Sequence, residues 1–226
     1  MSSGFGRTHL GDGDLVLDRQ VSVFINCPFD DGYSPLFDAI VFSAICCGFL
    51  PRCAIEAGVS STPRISRIAA AMSASKYSIH DLSRCQGEGS SNLARFNMPL
   101  ELGMAMTEKF RDKDTSTQHD WLALVPEGHV YKRFVSDLAG YDPAGHNGTV
   151  ESVVPVVMSW LATRPDAVQV PPPQAVLRAL PLFQQARAKL SSDWYGCEPW
   201  TDLLLIALNI GRDESLIPVP SVSPAS

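Results

Sequence analysis

Cysteine pairs at metal or redox spacing are missing from this sequence. Its six cysteines (Cys27, Cys46, Cys47, Cys53, Cys85 and Cys197) form no CxxC and no Cys/His cluster with zinc spacing. No structural zinc site or dithiol redox centre is expected, and no metal is assigned. Several of them lie in apolar runs, where a free thiol behaves as a small buried hydrophobe. The expectation is reduced cysteines in a cytoplasmic protein. A basic excess is missing too: 18 Lys+Arg stand against 24 Asp+Glu, a net charge of −6. Direct nucleic-acid binding is therefore not expected, whereas a small nucleotide needs only one local electropositive pocket.

Long apolar stretches are also absent. The longest, Leu36 to Leu50, is too short to span a bilayer and carries Asp38. The opening MSSGFGRTHLGDGDLVLD lacks the apolar region of a signal peptide. A soluble protein with no membrane association is the expectation. No Gly-rich loop with a phosphate-binding lysine occurs, and no GxSxG elbow, which argues against a Walker-type NTPase and a serine hydrolase.

What remains is an ordinary globular composition, 45% hydrophobic and 19% charged over 226 residues. That length accommodates one sizeable core with a small appended part. Residues 1–19, rich in Gly, Ser and Asp, read as a flexible leader. Val21–Cys27, Leu50–Glu56, Lys76–Leu82 and Trp121–Val125 read as buried strands. Helices are expected from Ser34-Pro35 to Gly48, after Thr62-Pro63, and from Asn97 to about Phe110. His129–Ala139 also looks helical, Tyr141–Gly148 is a turn-rich loop, and Thr149 caps a helix whose apolar face runs Val150 to Leu161.

Strands alternating with helices predict βαβ units, hence a parallel sheet covered by helices on both faces, the α/β flavodoxin-like class. The α/β domain is drawn over residues 20–163. A Pro-rich connector then leads to a small helical extension over 164–211, with helices about 174–190, broken at Pro181, and 199–210, ending at Gly211. Residues 212–226 are read as a disordered tail.

In such sheets ligands bind outside the carboxyl ends of the strands. Two carboxylates fall there. Glu101, in Arg95-Phe-Asn-Met-Pro-Leu-Glu-Leu-Gly103, is placed in the first turn of a helix, where a carboxylate meets the positive end of the helix dipole. Asp81 ends the third strand at the crevice mouth. The two are expected to share a pocket, the pairing that glycosidic chemistry uses. Each also has a plain structural reading, as a helix-stabilising charge or as a loop cap. His80, alternating with Asp81, is expected to face the core. Asn26 and Phe29 are candidates for holding a base, with Asp30 and Asn97 beside them. Arg84 and Arg95 are candidates for phosphate.

Those same strings, Phe24-Ile-Asn-Cys-Pro-Phe-Asp30, Ile79-His-Asp-Leu-Ser-Arg84 and Arg95 to Gly103, resemble the nucleoside 2-deoxyribosyltransferase-like and TIR-like superfamily. The resemblance covers roughly residues 20–130. It implies a flavodoxin-like fold and a glutamate, matched by Glu101, that attacks the sugar anomeric carbon or cleaves the nicotinamide bond of NAD. Asp81 matches the aspartate on the base and sugar side. One departure stands out: a longer loop, Arg84–Asn97, replaces the short Asp-Ser-Gly-Thr approach to the glutamate.

The expected activity is hydrolysis or transfer at the N-glycosidic bond of a nucleotide or nucleoside. NAD would be a substrate, with no tightly bound cofactor. Some relatives of this kind act as toxic effectors in phage defence, and homo-oligomers or partner proteins would suit them. The alternative is a non-catalytic nucleotide-sensing or assembly module.

Overall fold

The computed structural model of the protein describes residues 18–56, 61–84, 96–128, 130–133 and 135–218. Arg95, one of the residues expected at the site, lies outside them. Asp18 accepts from the Gln20 amide at 2.9 Å and starts a 3-10 turn, Arg19–Val21, that leads into the sheet.

Five strands make one parallel sheet: β1 (Ser22–Asn26), β2 (Leu50–Cys53), β3 (Tyr77–Asp81), β4 (Asp120–Pro126) and β5 (Ala144–His146), in the order β2-β1-β3-β4-β5. This is the flavodoxin-like order. Its switch point lies between β1 and β3, where successive crossovers leave in opposite directions. Pro51 sits on β2, an edge strand, where its missing N–H costs no ladder bond.

Side chains alternate along each strand, so the sheet feeds two cores. Val23, Ile25, Tyr77, Ile79, Leu122 and Leu124 point to one face, covered by α1 (Ser34–Cys46) and α4 (Val150–Ala162). Phe24, Trp121, Ala123 and Val125 point to the other, covered by α2 (Arg64–Ser73) and α3 (Asn97–Arg111). Both faces therefore carry helices, in agreement with the sequence.

Apart from Ser34 and Pro35, every residue of α1 is buried. A helix apolar all round needs cover on both sides. The sheet supplies one side; α5 (Pro173–Asp193) and α6 (Trp200–Asp213) supply the other. Phe183 of α5 stacks on Phe42 with ring centroids 5.2 Å apart, and the Trp200 indole donates to Pro51 O at 3.3 Å.

Several local expectations are corrected. The stretch expected as a helix around residues 129–139 forms two 3-10 turns, Val130–Arg133 and Ser136–Gly140. The turn-rich loop contains β5, whose strand character comes from pairing Ala144 to His146 with Leu124 to Pro126. Pro181 does not break α5: it lies on the exposed face, while Ala179, Leu180 and Phe183 hold the buried face. The final helix passes Gly211 to Asp213, and Leu216 and Ile217 beyond it are buried, so 212–218 belongs to the packed body.

Among the described residues no helix is long and apolar enough to cross a membrane. Cys27, Cys46, Cys47 and Cys53 are buried free thiols, and Cys197 is a free thiol at the surface.

Candidate catalytic crevice

The carboxyl ends of β1 and β3 carry Asn26 and Asp81, each the last residue of its strand. Asp81 is fully buried on the α1 face. Three groups converge on it. The Tyr33 hydroxyl, from the β1–α1 loop, donates to Oδ2. The Ser83 amide donates to Oδ1 at 2.7 Å. His146 Nε2, at the end of β5, lies 3.1 Å from Oδ2, although its N–H is not aligned as a hydrogen bond. His146 Nδ1 accepts from the Gly148 amide at 3.2 Å, so the ring proton is on Nε2 and faces the carboxylate. Burial alone would raise the Asp81 carboxyl, but His146 and the Ser83 and Tyr33 donors hold it below its ordinary range.

Above this cluster opens a cleft of about 520 Å³ lined by Tyr33, Ser83, Arg84, Glu127, His146 and Asn147 among others. That is within the size range of small-ligand sites. Arg84 and Asp30, both expected to touch substrate, pair with each other at 3.2 Å. Gly32 lets the backbone pass close by: a Cβ there would lie 3.3 Å from Asp30 Oδ1 and 3.4 Å from an Arg84 nitrogen.

Glu101 is also buried, 3% exposed, but on the opposite face of the sheet. It is the fifth residue of α3 and so belongs to the second turn, not the first. The dipole effect fades beyond the first turn. Its nearest cation is Arg64 of α2, with Nη1 3.9 Å from Oε1. Burial pushes the Glu101 carboxyl up to about 7, against a smaller downward pull from Arg64.

The expectation of one shared pocket is thus modified. No hydrogen bond or ion pair joins Asp81 to Glu101 among the described residues. Cys27, just past β1, responds to both: burial raises its thiol, and the charges of Asp81, Cys53 and Glu101 add to that. It therefore stands as an inert thiol.

No protein-family model, curated protein or solved structure matches the chain.

The remaining expected residues separate. Asn26 is buried, and its amide group is engaged by His80 Nδ1 and Met98 O, at 2.9 and 3.1 Å. In this conformation it faces protein, not a base. Phe29 is 38% exposed and meets Phe37 edge-on at 5.6 Å. Asn97 is exposed at the start of α3. Tyr33 and His146 are additions to the site. Tyr33 was readable only as part of the first crevice loop, and His146 lay in a segment with no strand signal. Among the described residues no group of three His, Cys, Asp or Glu side chains could hold a metal.

Proposed function

We propose that the protein hydrolyses or transfers at the N-glycosidic bond of a nucleotide or nucleoside, with NAD or a (deoxy)nucleoside or nucleotide as substrate. One observation carries this reading. Two buried carboxyls at the ligand-binding end of the sheet are pushed in opposite directions, Asp81 down and Glu101 up to about 7. Carboxyls held apart in this way take separate roles: Asp81 stays ionised, whereas Glu101 gains and loses its proton near neutral pH, where its carboxylate can act at a sugar.

In the proposed reaction Glu101 meets the sugar. As a carboxylate it attacks or stabilises C1′ while the C1′–N bond breaks. Water or an acceptor nitrogen then bonds C1′, breaking any Glu101–C1′ ester bond. The proton it gives up goes to the base released from a nucleoside, whereas nicotinamide leaves NAD neutral and the proton passes to solvent. Arg84, at the cleft rim, offers a guanidinium for phosphate once it exchanges its Asp30 partner. Asp81 serves as the ionised anchor of the cleft wall, fixing Tyr33 and His146. No tightly bound cofactor is required by this chemistry.

Purified protein is incubated with NAD and a panel of nucleosides and nucleotides, and free base is measured by chromatography. Base release that falls by about 100-fold or more in Glu101→Gln is the expected result. Undiminished release by that variant overturns the assignment.

A second reading is favoured by the engagement of Asp81, whose two oxygens already accept from Tyr33 and the Ser83 amide with His146 Nε2 3.1 Å away. A cleft built this way would bind a nucleotide without chemistry, as a sensor or assembly module. Saturable binding with thermal stabilisation and no released base would select it.

A further inference from the structure

Among the described residues no side chain caps the helix that carries Glu101. Phe96 occupies the N-cap position of α3 and contributes no side-chain hydrogen bond. The start of the helix is gripped instead from the sheet. Asn26 Nδ2 donates to Met98 O at 3.1 Å. Met98, Glu101, Leu102 and Ala105 are the buried residues of α3, so the grip falls on the stripe that carries Glu101.

Behind Asn26 runs a row of buried polar groups. His80 lies opposite Asn26 in the β1–β3 register, with its Nδ1 2.9 Å from Asn26 Nδ2. His80 Nε2 is 2.8 Å from Ser78 Oγ, and Ser78 Oγ is 2.8 Å from His119 Nε2. His119 Nδ1 is 2.9 Å from Ser75 O. His80, His119 and Ser78 are all buried, on the face that α3 covers.

The direction of every bond follows by elimination. Ser75 O can only accept, so His119 Nδ1 carries the proton and, in a neutral ring, Nε2 accepts. The Ser78 hydroxyl must then donate to His119, and its oxygen accepts from His80 Nε2–H. His80 Nδ1 is left as the acceptor for Asn26 Nδ2. Starting from the other end yields the same result, because Met98 O can only accept and so fixes which end of the Asn26 amide is nitrogen. Burial keeps both rings neutral, holding His80 down to about 3 and lowering His119. One continuous row therefore joins Ser75 O, at the amino end of β3, to Met98 O, at the head of α3. Every bond from Asn26 to Ser75 runs the same way, and the Asn26 amide, donating to both sides, is where the direction turns toward α3.

We infer that Asn26, His80, Ser78 and His119 are positioning residues for Glu101, fixing α3, and with it the Glu101 carboxyl, against the sheet. The inference rests on Glu101 being the reacting group of the proposed function. Asn26 is thereby reassigned from base contact to anchor.

The test uses the full chain labelled with ¹⁵N-histidine and ¹³C-glutamate, followed by NMR. In the unmodified protein His80 should show the Nε2–H tautomer and His119 the Nδ1–H tautomer. Ser78→Ala interrupts the row without touching α3. With circular dichroism unchanged, it should move the Glu101 carboxyl titration and lower kcat for base release about tenfold, with KM within about twofold. Asn26→Asp, which sets a carboxylate against two acceptors, should do the same more strongly. Identical tautomers on the two histidines overturn the inference. So does a Glu101 titration unmoved in both variants. If the unmodified protein releases no base from any substrate, the proposed function falls while the tautomers and the carboxyl titration still decide the positioning role.

Discussion

Arg187 on α5 pairs with the buried Asp38 of α1 and lies 4.0 Å from Glu198. The same guanidinium donates to Ser34 Oγ at 3.1 Å and lies 5.2 Å from the centre of the Phe37 ring. Burial raises the Asp38 carboxyl to about 6 despite the opposing pull of Arg187. Arg187→Leu leaves that carboxylate buried and unpaired, an arrangement that costs about 3–5 kcal/mol. The loss should be larger at pH 8, where Asp38 must ionise, than at pH 5, where it keeps its proton. Urea unfolding at the two pH values measures the difference.

Glu101→Gln should stabilise the protein at high pH. The folded protein keeps the Glu101 proton up to about 7, while the unfolded chain releases it near 4.5. The contribution of Glu101 to stability is therefore complete below 4.5 and lost as pH rises to 7. The variant should gain on the native protein by up to 1.36 kcal/mol per pH unit across that window, reaching about 3 kcal/mol above it. His80 acts with the opposite sign. The unfolded chain protonates it near 6.5 and the folded protein resists until about 3, so stability falls as pH drops through that range. In the native protein the two slopes oppose each other, and Glu101→Gln should steepen the acid side. A stability profile from pH 4 to 8 for both proteins checks this.

Tyr33→Phe removes one of the donors that keep Asp81 ionised. Hydrogen bonds to charged groups contribute about 1.5–3 kcal/mol, and a loss of that size is expected at pH 7. Asp81 is held low in the folded state, so its contribution is present above the unfolded value of 3.8 and lost as pH falls below it. The difference between Tyr33→Phe and the native protein should shrink at pH 3.5. Chemical denaturation at pH 7 and 3.5 provides the comparison.

Gly48→Ala should destabilise by about 1–3 kcal/mol from backbone strain alone. Gly48 follows α1 with φ at +85°, and a Cβ there would stand 2.0 Å from Val168 Cγ2. Val168→Ala in the same chain should recover the steric part of the loss and leave the backbone part. Melting temperatures of the single and double variants separate the two.

How far the sequence reaches is clearest along β3. Lys76–Leu82 reads as a strand from its apolar content, and alternation sends His80 and Asp81 to opposite faces, as observed. What alternation cannot supply is which face each helix covers. That depends on strand order: with β1 between β2 and β3, right-handed crossovers place α1 and α3 on opposite sides of the sheet. Glu101 consequently sits on the face of His80, while Asp81 turns toward α1. Two carboxyls adjacent in a linear reading thus end on either side of β3. His146 was beyond reach for another reason. Ala144-Gly145-His146 has no strand propensity of its own, and only pairing with β4 makes it an edge strand. Asn26 was legible as a polar residue at a strand end, but its engagement by His80 and Met98 depends on contacts 54 and 72 residues away.

The enclosure of α1 on both sides has a consequence for assembly in time. The Phe42–Phe183 stack and the Arg187–Asp38 pair close across some 140 residues or more of chain, and contacts of such separation form slowly. When synthesis proceeds from the amino end, β1, α1 and β3 emerge long before α5. Until then the outer stripe of α1 faces water, so the nascent chain passes through an interval in which Phe42 and its neighbours are open to chaperones or to other unfinished chains.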